Sequence, residues 1–82
     1  MTQEEARNLV REYEGKDIEK VGTHLPDKSS YNYNFYRLPN GTEVLMDNDD
    51  DGYNMVFVCD GGDNIYVGAQ YDDGELMIGD FT

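Results

Sequence analysis

The sequence predicts an α+β fold in which one N-terminal helix packs on a bent five-stranded antiparallel β-meander. Three observations predict it. Residues 3 to 14 carry apolar side chains at helical spacing behind a capping box. From Tyr31 onward the apolar period changes to two. Turn signals then recur at Pro39-Asn40-Gly41, Asp51-Gly52, Gly61-Gly62 and Asp73-Gly74, spaced like hairpin turns.

The helix is expected to start at Thr2-Gln3-Glu4-Glu5, where the Thr2 hydroxyl can accept from the Glu5 amide while Glu5 reaches back to the Thr2 amide. Ala6, Leu9, Val10 and Tyr13 make the stripe that docks on a sheet, and Gly15 supplies a left-handed stop. Arg7 and Arg11 alternate with Glu4, Glu12 and Glu14 on its solvated face. Residues 16–30 read as loop, with Ile18 and Val21 able to form a short strand. His24 has no Cys or Ser nucleophile at a meaningful spacing and is assigned no role. The strands are expected at Ser30–Leu38, Thr42–Asp47, Tyr53–Cys59, Asn64–Gln70 and Glu75–Phe81.

Alternation assigns Tyr31, Tyr33, Phe35, Val44, Met46, Met55, Phe57, Ile65, Val67, Leu76 and Ile78 to the face that seats the helix. Leu45, Val56, Val58, Tyr66, Met77 and Phe81 fall on the other. That second face is too apolar to lie open on a flat sheet. The expectation is a tightly curled sheet, or a cover provided by residues 16–30 or by a second copy of the chain in a homodimer.

At 82 residues the chain is read as one domain, and one this small buries only about 60% of its unfolded surface. Cys59 alone excludes an internal disulfide framework, and Cys59 with His24 is too little for structural zinc. No cofactor is expected. The start lacks the basic and then apolar regions of a signal peptide, and no apolar run approaches the ~20 residues of a membrane span. A cytoplasmic protein is expected.

The charge is distributed unevenly. Leu38 to Thr82 holds eleven Asp and Glu with no Lys or Arg, whereas the first 37 residues hold seven acids and six bases, for a net charge of -12 overall. Nucleic acid and anionic membrane are therefore excluded as ligands, and cations or a strongly basic partner are favoured. The densest point is Asp47-Asn48-Asp49-Asp50-Asp51-Gly52. Asp47, Asp49, Asp51 and Gly52 match the first half of an EF-hand calcium loop. The bidentate Glu of that loop is replaced by Val58, and strands flank it where helices belong. No dedicated metal site is expected, though weak calcium binding is an alternative. Paired carboxylates for acid–base catalysis need a pocket with contrasting environments, which exposed turns on a small domain do not offer. The chain is not expected to be an enzyme.

Alternate turns of a meander lie at one end of the sheet. Asp47, Asp49, Asp50 and Asp51 should therefore share an end with Asp72, Asp73 and Glu75, two strands or ~10 Å away. Same-face residues on a strand repeat every ~6.6–6.8 Å, comparable to neighbouring phosphates, so a twisted acidic sheet can present charges as a nucleic-acid backbone does. Tyr53 and Tyr71 flank the acidic turns. Tyrosine is favoured both in strands and at interface centres, so either role fits them.

In size, acidity and lack of a catalytic signature, with the acidic turns Asp47 to Asp51 and Asp72 to Glu75, the chain resembles small phage-encoded inhibitors that mimic nucleic acid, above all anti-CRISPR proteins. The resemblance is at the level of the class. It implies a stoichiometric inhibitor in the cytoplasm of a bacterial host cell, occupying the basic nucleic-acid channel of a CRISPR effector complex. Asp47, Asp49, Asp50, Asp51, Tyr53, Tyr71, Asp72, Asp73 and Glu75 would form the partner-binding surface. An immunity protein or antitoxin that caps a basic nuclease is the alternative expectation.

Overall fold

The capping box forms as the sequence predicts. In this computed structural model, which describes residues 1–48 and 52–80, the Thr2 hydroxyl accepts from the Glu5 amide at 3.1 Å and the Glu5 carboxylate from the Thr2 amide at 2.9 Å. Two amides that a helix start leaves without partners are thereby satisfied. Helix α1 spans Gln3–Val10 and tightens into a 3-10 turn at Arg11–Tyr13, so the helix expected over residues 3 to 14 is present with a narrower last turn. Gly15, at φ 81°, ends it.

Residues 16–30 depart from the expected loop. Asp17 caps a second helix, α2 (Ile18–Val21), by accepting from the Glu19 amide at 2.9 Å, and Ile18 is fully buried. A spacing of three puts Ile18 and Val21 on one side of a helical turn, and the cap decides for helix over strand. A short strand, β1 (Thr23–His24), follows, so His24 is a strand residue rather than a loop one. Two residues are too few to show alternation in the sequence.

The remaining strands are β2 (Tyr33–Arg37), β3 (Glu43–Asp47), β4 (Tyr53–Asp60), β5 (Asp63–Tyr71) and β6 (Leu76–Ile78). Their spatial order is β1-β2-β3-β4-β5-β6 and every neighbouring pair is antiparallel. The molecule is the expected α+β meander, with six strands where five were expected. β2 starts at Tyr33 rather than Ser30, and β6 is shorter than Glu75–Phe81, Phe81 lying outside the described residues.

Register decides which side chains share a face, since residues directly opposite on paired strands point the same way. One face carries Tyr36, Val44, Val58 and Ile65 in a row, with Met46 opposite Val56 beside it. This is the buried face. Ala6, Val10 and Tyr13 from the first helical segment and Ile18 from α2 pack there with Tyr36, Leu38, Val44, Met46, Val56, Val58, Val67 and Leu76. Each fully buried Val or Leu in it contributes about 1.5–3 kcal/mol.

The other face carries the row Phe35, Leu45, Phe57, Tyr66, with Tyr33 and Met55 on either side. The expected assignment was therefore wrong for Tyr33, Phe35, Met55 and Phe57, which lie on the face away from α1, and for Val56 and Val58, which lie under it. Tyr31 precedes β2 altogether and is 92% exposed. The cause is the register of each strand pair, β2 with β3 and β3 with β4 alike. Arg37 pairs with Glu43 across the five-residue turn 38–42, which keeps odd with odd and even with even, and a slip of one residue would reverse every side chain. Because α2 packs on the same side as α1, it does not provide the expected cover for the second face.

One bulge adjusts the sheet. The two-residue turn Gly61-Gly62, with both φ positive, brings Asp60 opposite Asp63, and Val67 is then the extra residue between the pairs Phe57–Tyr66 and Val56–Gly68. Val67 is fully buried. At Gly68 an added Cβ would lie 2.1 Å from the Met77 carbonyl oxygen, so no larger residue fits between β5 and β6. No helix among the described residues is long and apolar enough to cross a membrane.

Candidate partner interface

The two acidic turns meet more closely than the ~10 Å expected from strand counting. Gly52 leads into β4 and Asp72 follows β5, and because these strands are neighbours the Asp72 amide donates to the Gly52 carbonyl at 3.0 Å. Tyr53 and Tyr71 are paired across the same ladder, their rings 5.7 Å apart and inclined at 42°. The structure thus brings Asp47, Tyr53, Tyr71, Asp72, Asp73 and Glu75 to one end of the sheet. Asp49, Asp50 and Asp51 belong to the same candidate site by sequence and lie outside the described residues.

This near end is braced from below. The Gly15 amide donates to the Leu76 carbonyl at 2.7 Å, and the Leu76 amide donates to the Lys16 carbonyl at 2.9 Å. Gln70, the buried polar residue of the core, accepts from the Ile18 amide at 3.0 Å and fixes the start of α2 to β5. Within the turn the Glu75 amide donates to the Asp73 carboxylate at 3.2 Å, and the Gly74 amide donates to the Tyr71 carbonyl at 3.0 Å. Asp72, Asp73 and Glu75 are all exposed on this rigid loop. Asp47 is half-buried, and its Oδ1 accepts from the Met55 amide at 2.8 Å, so it has a structural role that its place in an acidic run did not reveal. Asn48 ties the turn to the neighbouring loop by donating to the Tyr31 carbonyl at 3.3 Å.

The opposite end is electrically different. The terminal amine reaches Asp60 at 3.2 Å, Arg7 reaches Asp80 at 2.7 Å, and Lys28 and Arg37 reach Glu43 at 2.6 and 3.8 Å. Asp60 ends β4, Asp80 lies beyond β6 and Glu43 starts β3, so all three acids sit at the end far from the acidic turns. Lys28 holds the Glu43 carboxyl below its ordinary value through its hydrogen bond and charge, with Arg37 assisting. Among the described residues no cation is within ion-pairing distance of Asp72, Asp73 or Glu75.

Other candidate chemistries have less support in the geometry. Val58, which replaces the last ligand of the EF-hand pattern, is 1% exposed and faces the helix. Among the described residues no three His, Cys, Asp or Glu side chains converge as a metal site. Ser29 Oγ lies 3.1 Å from His24 Nε2, a proximity not anticipated from the sequence. That hydroxyl also accepts from the Phe35 amide and donates to the Leu25 carbonyl, and the His24 ring packs against Tyr36 at 5.2 Å, inclined at 44°, so the cluster braces β1 against β2.

Sequence reasoning expected an apolar second face but missed that Tyr33, Phe35, Met55 and Phe57 lie on it and make it aromatic. Phe57 and Tyr66 make a second tilted pair at 5.7 Å, and Tyr33, Phe35, Leu45, Phe57 and Asn64 surround a shallow depression of about 320 Å3. For Tyr33 and Phe35 the signal in the sequence was the five-residue length of the turn 38–42. Comparison with known protein families, with characterised proteins and with solved structures finds no match.

Proposed function

We propose that the protein is a stoichiometric inhibitor that mimics DNA or RNA, its near end entering the basic nucleic-acid channel of a partner such as a CRISPR effector complex. One observation carries the reading: Arg7, Lys28, Arg37 and the terminal amine pair with acids at the far end, while the two acidic turns adjoin at the near end and, among the described residues, no cation is within ion-pairing distance of Asp72, Asp73 or Glu75. A field so polarised steers and orients a basic partner, as the phosphate backbone does. Lys and Arg of the channel would meet Asp47, Asp49, Asp50, Asp51, Asp72, Asp73 and Glu75 in place of phosphates. Tyr53 and Tyr71 supply rigid, half-buried rings beside them.

The test is competition. The protein should displace duplex DNA from its partner with an affinity that weakens steeply as salt rises. Asp49, Asp50 and Asp51 changed together to Asn, or Asp72 and Asp73 changed to Asn, should cost several kcal/mol of binding while the fold is retained. Glu4 and Glu12 changed to Gln on the first helical segment should matter little. If the helix variant lost inhibition and the turn variants kept it, the near end would not be the binding surface. Tight binding that duplex DNA does not displace would replace mimicry with the capping of a single basic nuclease.

A further inference from the structure

The sheet face turned away from α1 carries apolar and aromatic side chains that are only partly exposed: among the described residues Leu45 is buried at its centre and Phe35, Phe57 and Tyr66 beside it are half-buried. Its central row, Phe35, Leu45, Phe57 and Tyr66, runs across four strands, and Tyr33 and Met77 on the same face are 45% and 38% exposed. The rings are held by their own packing, Phe57 against Tyr66 and Tyr53 against Tyr71. The face therefore meets a partner without further ordering. It is also continuous with the near end, since Tyr53, Tyr71 and Asp47 share its orientation.

A second copy fits it poorly. Each chain carries a net charge of -12, and turning a copy end for end would set its acidic end against a far end whose bases already hold Glu43, Asp60 and Asp80. No surplus of positive charge is there to meet it. Nucleic acid is repelled for the same reason. Charge complementarity favours a cationic polypeptide, and the aromatic lining favours arginine among cations. A guanidinium is planar and weakly hydrated, and stacks on ring faces where an ammonium stays in water. The depression bounded by Tyr33, Phe35, Leu45, Phe57 and Asn64, about 320 Å3, matches the lower end of ligand pockets at about 300 Å3 and suits one long side chain. Arg37 is on this face but at its far corner, drawn to Glu43.

We infer that this face is a docking surface for an arginine-bearing polypeptide, one arginine entering the depression beside Tyr33 while neighbouring cations meet the near end. The inference rests on the proposed function only in taking the partner to be basic.

Nona-arginine and nona-lysine peptides serve as probes, with affinity read by fluorescence anisotropy at about 0.15 M NaCl and contacts read from amide shifts in the 15N-labelled protein. Nona-arginine should bind about three- to fivefold tighter, shifting amides along β2 to β5. Tyr33→Ala should erase that preference with little change for nona-lysine, and Tyr33→Phe, which keeps the ring, should retain it. Asp72→Asn with Asp73→Asn should weaken both peptides by a similar factor and leave their ratio unchanged. Equal affinities, or shifts confined to residues 48–53 and 71–75, would overturn the docking surface while leaving the acidic end intact as a binding site. Unchanged affinities in the Asp72/Asp73 variant would instead count against the acidic end, with the arginine preference still standing. Concentration-dependent broadening of the β2 to β5 amides without peptide would identify a second copy as the occupant and overturn the inference.

Discussion

The two ends of the sheet contain the same kind of residue in opposite circumstances. At the far end Glu43, Asp60 and Asp80 each face a cation delivered by the N-terminal half of the chain. At the near end Asp72 and Asp73 stand on a turn hydrogen-bonded to the acidic turn before β4, with no cation within ion-pairing distance among the described residues. The difference teaches that the balance of acids and bases in a sequence does not say where the charge is felt. The fold pairs Glu43, Asp60 and Asp80 at one end with cations and gives Asp72, Asp73 and Glu75 at the other no ion pair among the described residues.

The strongest way to break this contrast is to unseat β6, which begins just after the near-end turn and leads to Asp80 at the far end. Gly68→Ala forces a Cβ against the Met77 carbonyl, a backbone contact that cannot yield, and should cost about 3 kcal/mol or more. In thermal melts 3 kcal/mol is a fall of roughly 12–24 °C. A loss under about 1 kcal/mol would mean that β6 is held less tightly than the geometry requires.

Next in size is the brace beneath the near end. Gln70→Leu removes the acceptor of the buried Ile18 amide and should cost roughly 2 kcal/mol, read as a lower urea midpoint. It should disturb amides of residues 15–18 and 70–76 before those of Asp60 or Glu43.

Opposite signs sharpen the comparison further. Arg7→Met takes away the partner of Asp80 and should destabilise by about 1 kcal/mol, since Arg7 is only 19% exposed although Asp80 is 70% exposed. Asp72→Asn with Asp73→Asn relieves like-charge repulsion and should raise stability by a few tenths of a kcal/mol at about 0.02 M NaCl, with the gain vanishing near 0.3 M. The unmodified protein should itself melt higher at about 0.3 M than at about 0.02 M. A melting temperature that falls steadily over that range would contradict the crowding of carboxylates at the near end.

An effect of similar small size is expected in the pH dependence at the far end. Glu43 titrates below its ordinary 4.5 when folded, chiefly because Lys28 donates to it. The unfolded chain thus binds its proton more readily, and the stabilisation is present above pH 4.5 and lost as pH falls through the folded value. Solvent reaches this pair, Lys28 being 54% exposed, so the contribution is a few tenths to about 1 kcal/mol. Glu43→Gln should flatten that part of the acid limb. An unchanged limb would show that the pair contributes nothing measurable.

Much of this was legible in the sequence. The capping box, the Gly15 stop, the hairpin turns and five of the six strands were marked by residues that act on their immediate neighbours. So was the gathering of Asp47, Asp72, Asp73 and Glu75 at one end, which follows from alternating turns alone. The faces were not. Placing Phe35 with Val44 needed only a one-residue error in pairing, and alternation within each strand looks the same in either register. β1 was missed because its two residues pair with Arg37 and Tyr36, fourteen positions away in the first case, with no pattern of their own.

The sequence by itself determined where the chain turns, which stretches alternate and how much charge each half carries, because turn chemistry, capping and composition depend on neighbouring residues. Only the tertiary structure decided which aromatic side chains face outward and which acids are neutralised. Arg7 and Asp80 stand 73 positions apart, and the Ile18 amide meets Gln70 across 52. Such pairings exist once the sheet has folded over α1, and they set the difference between its two ends.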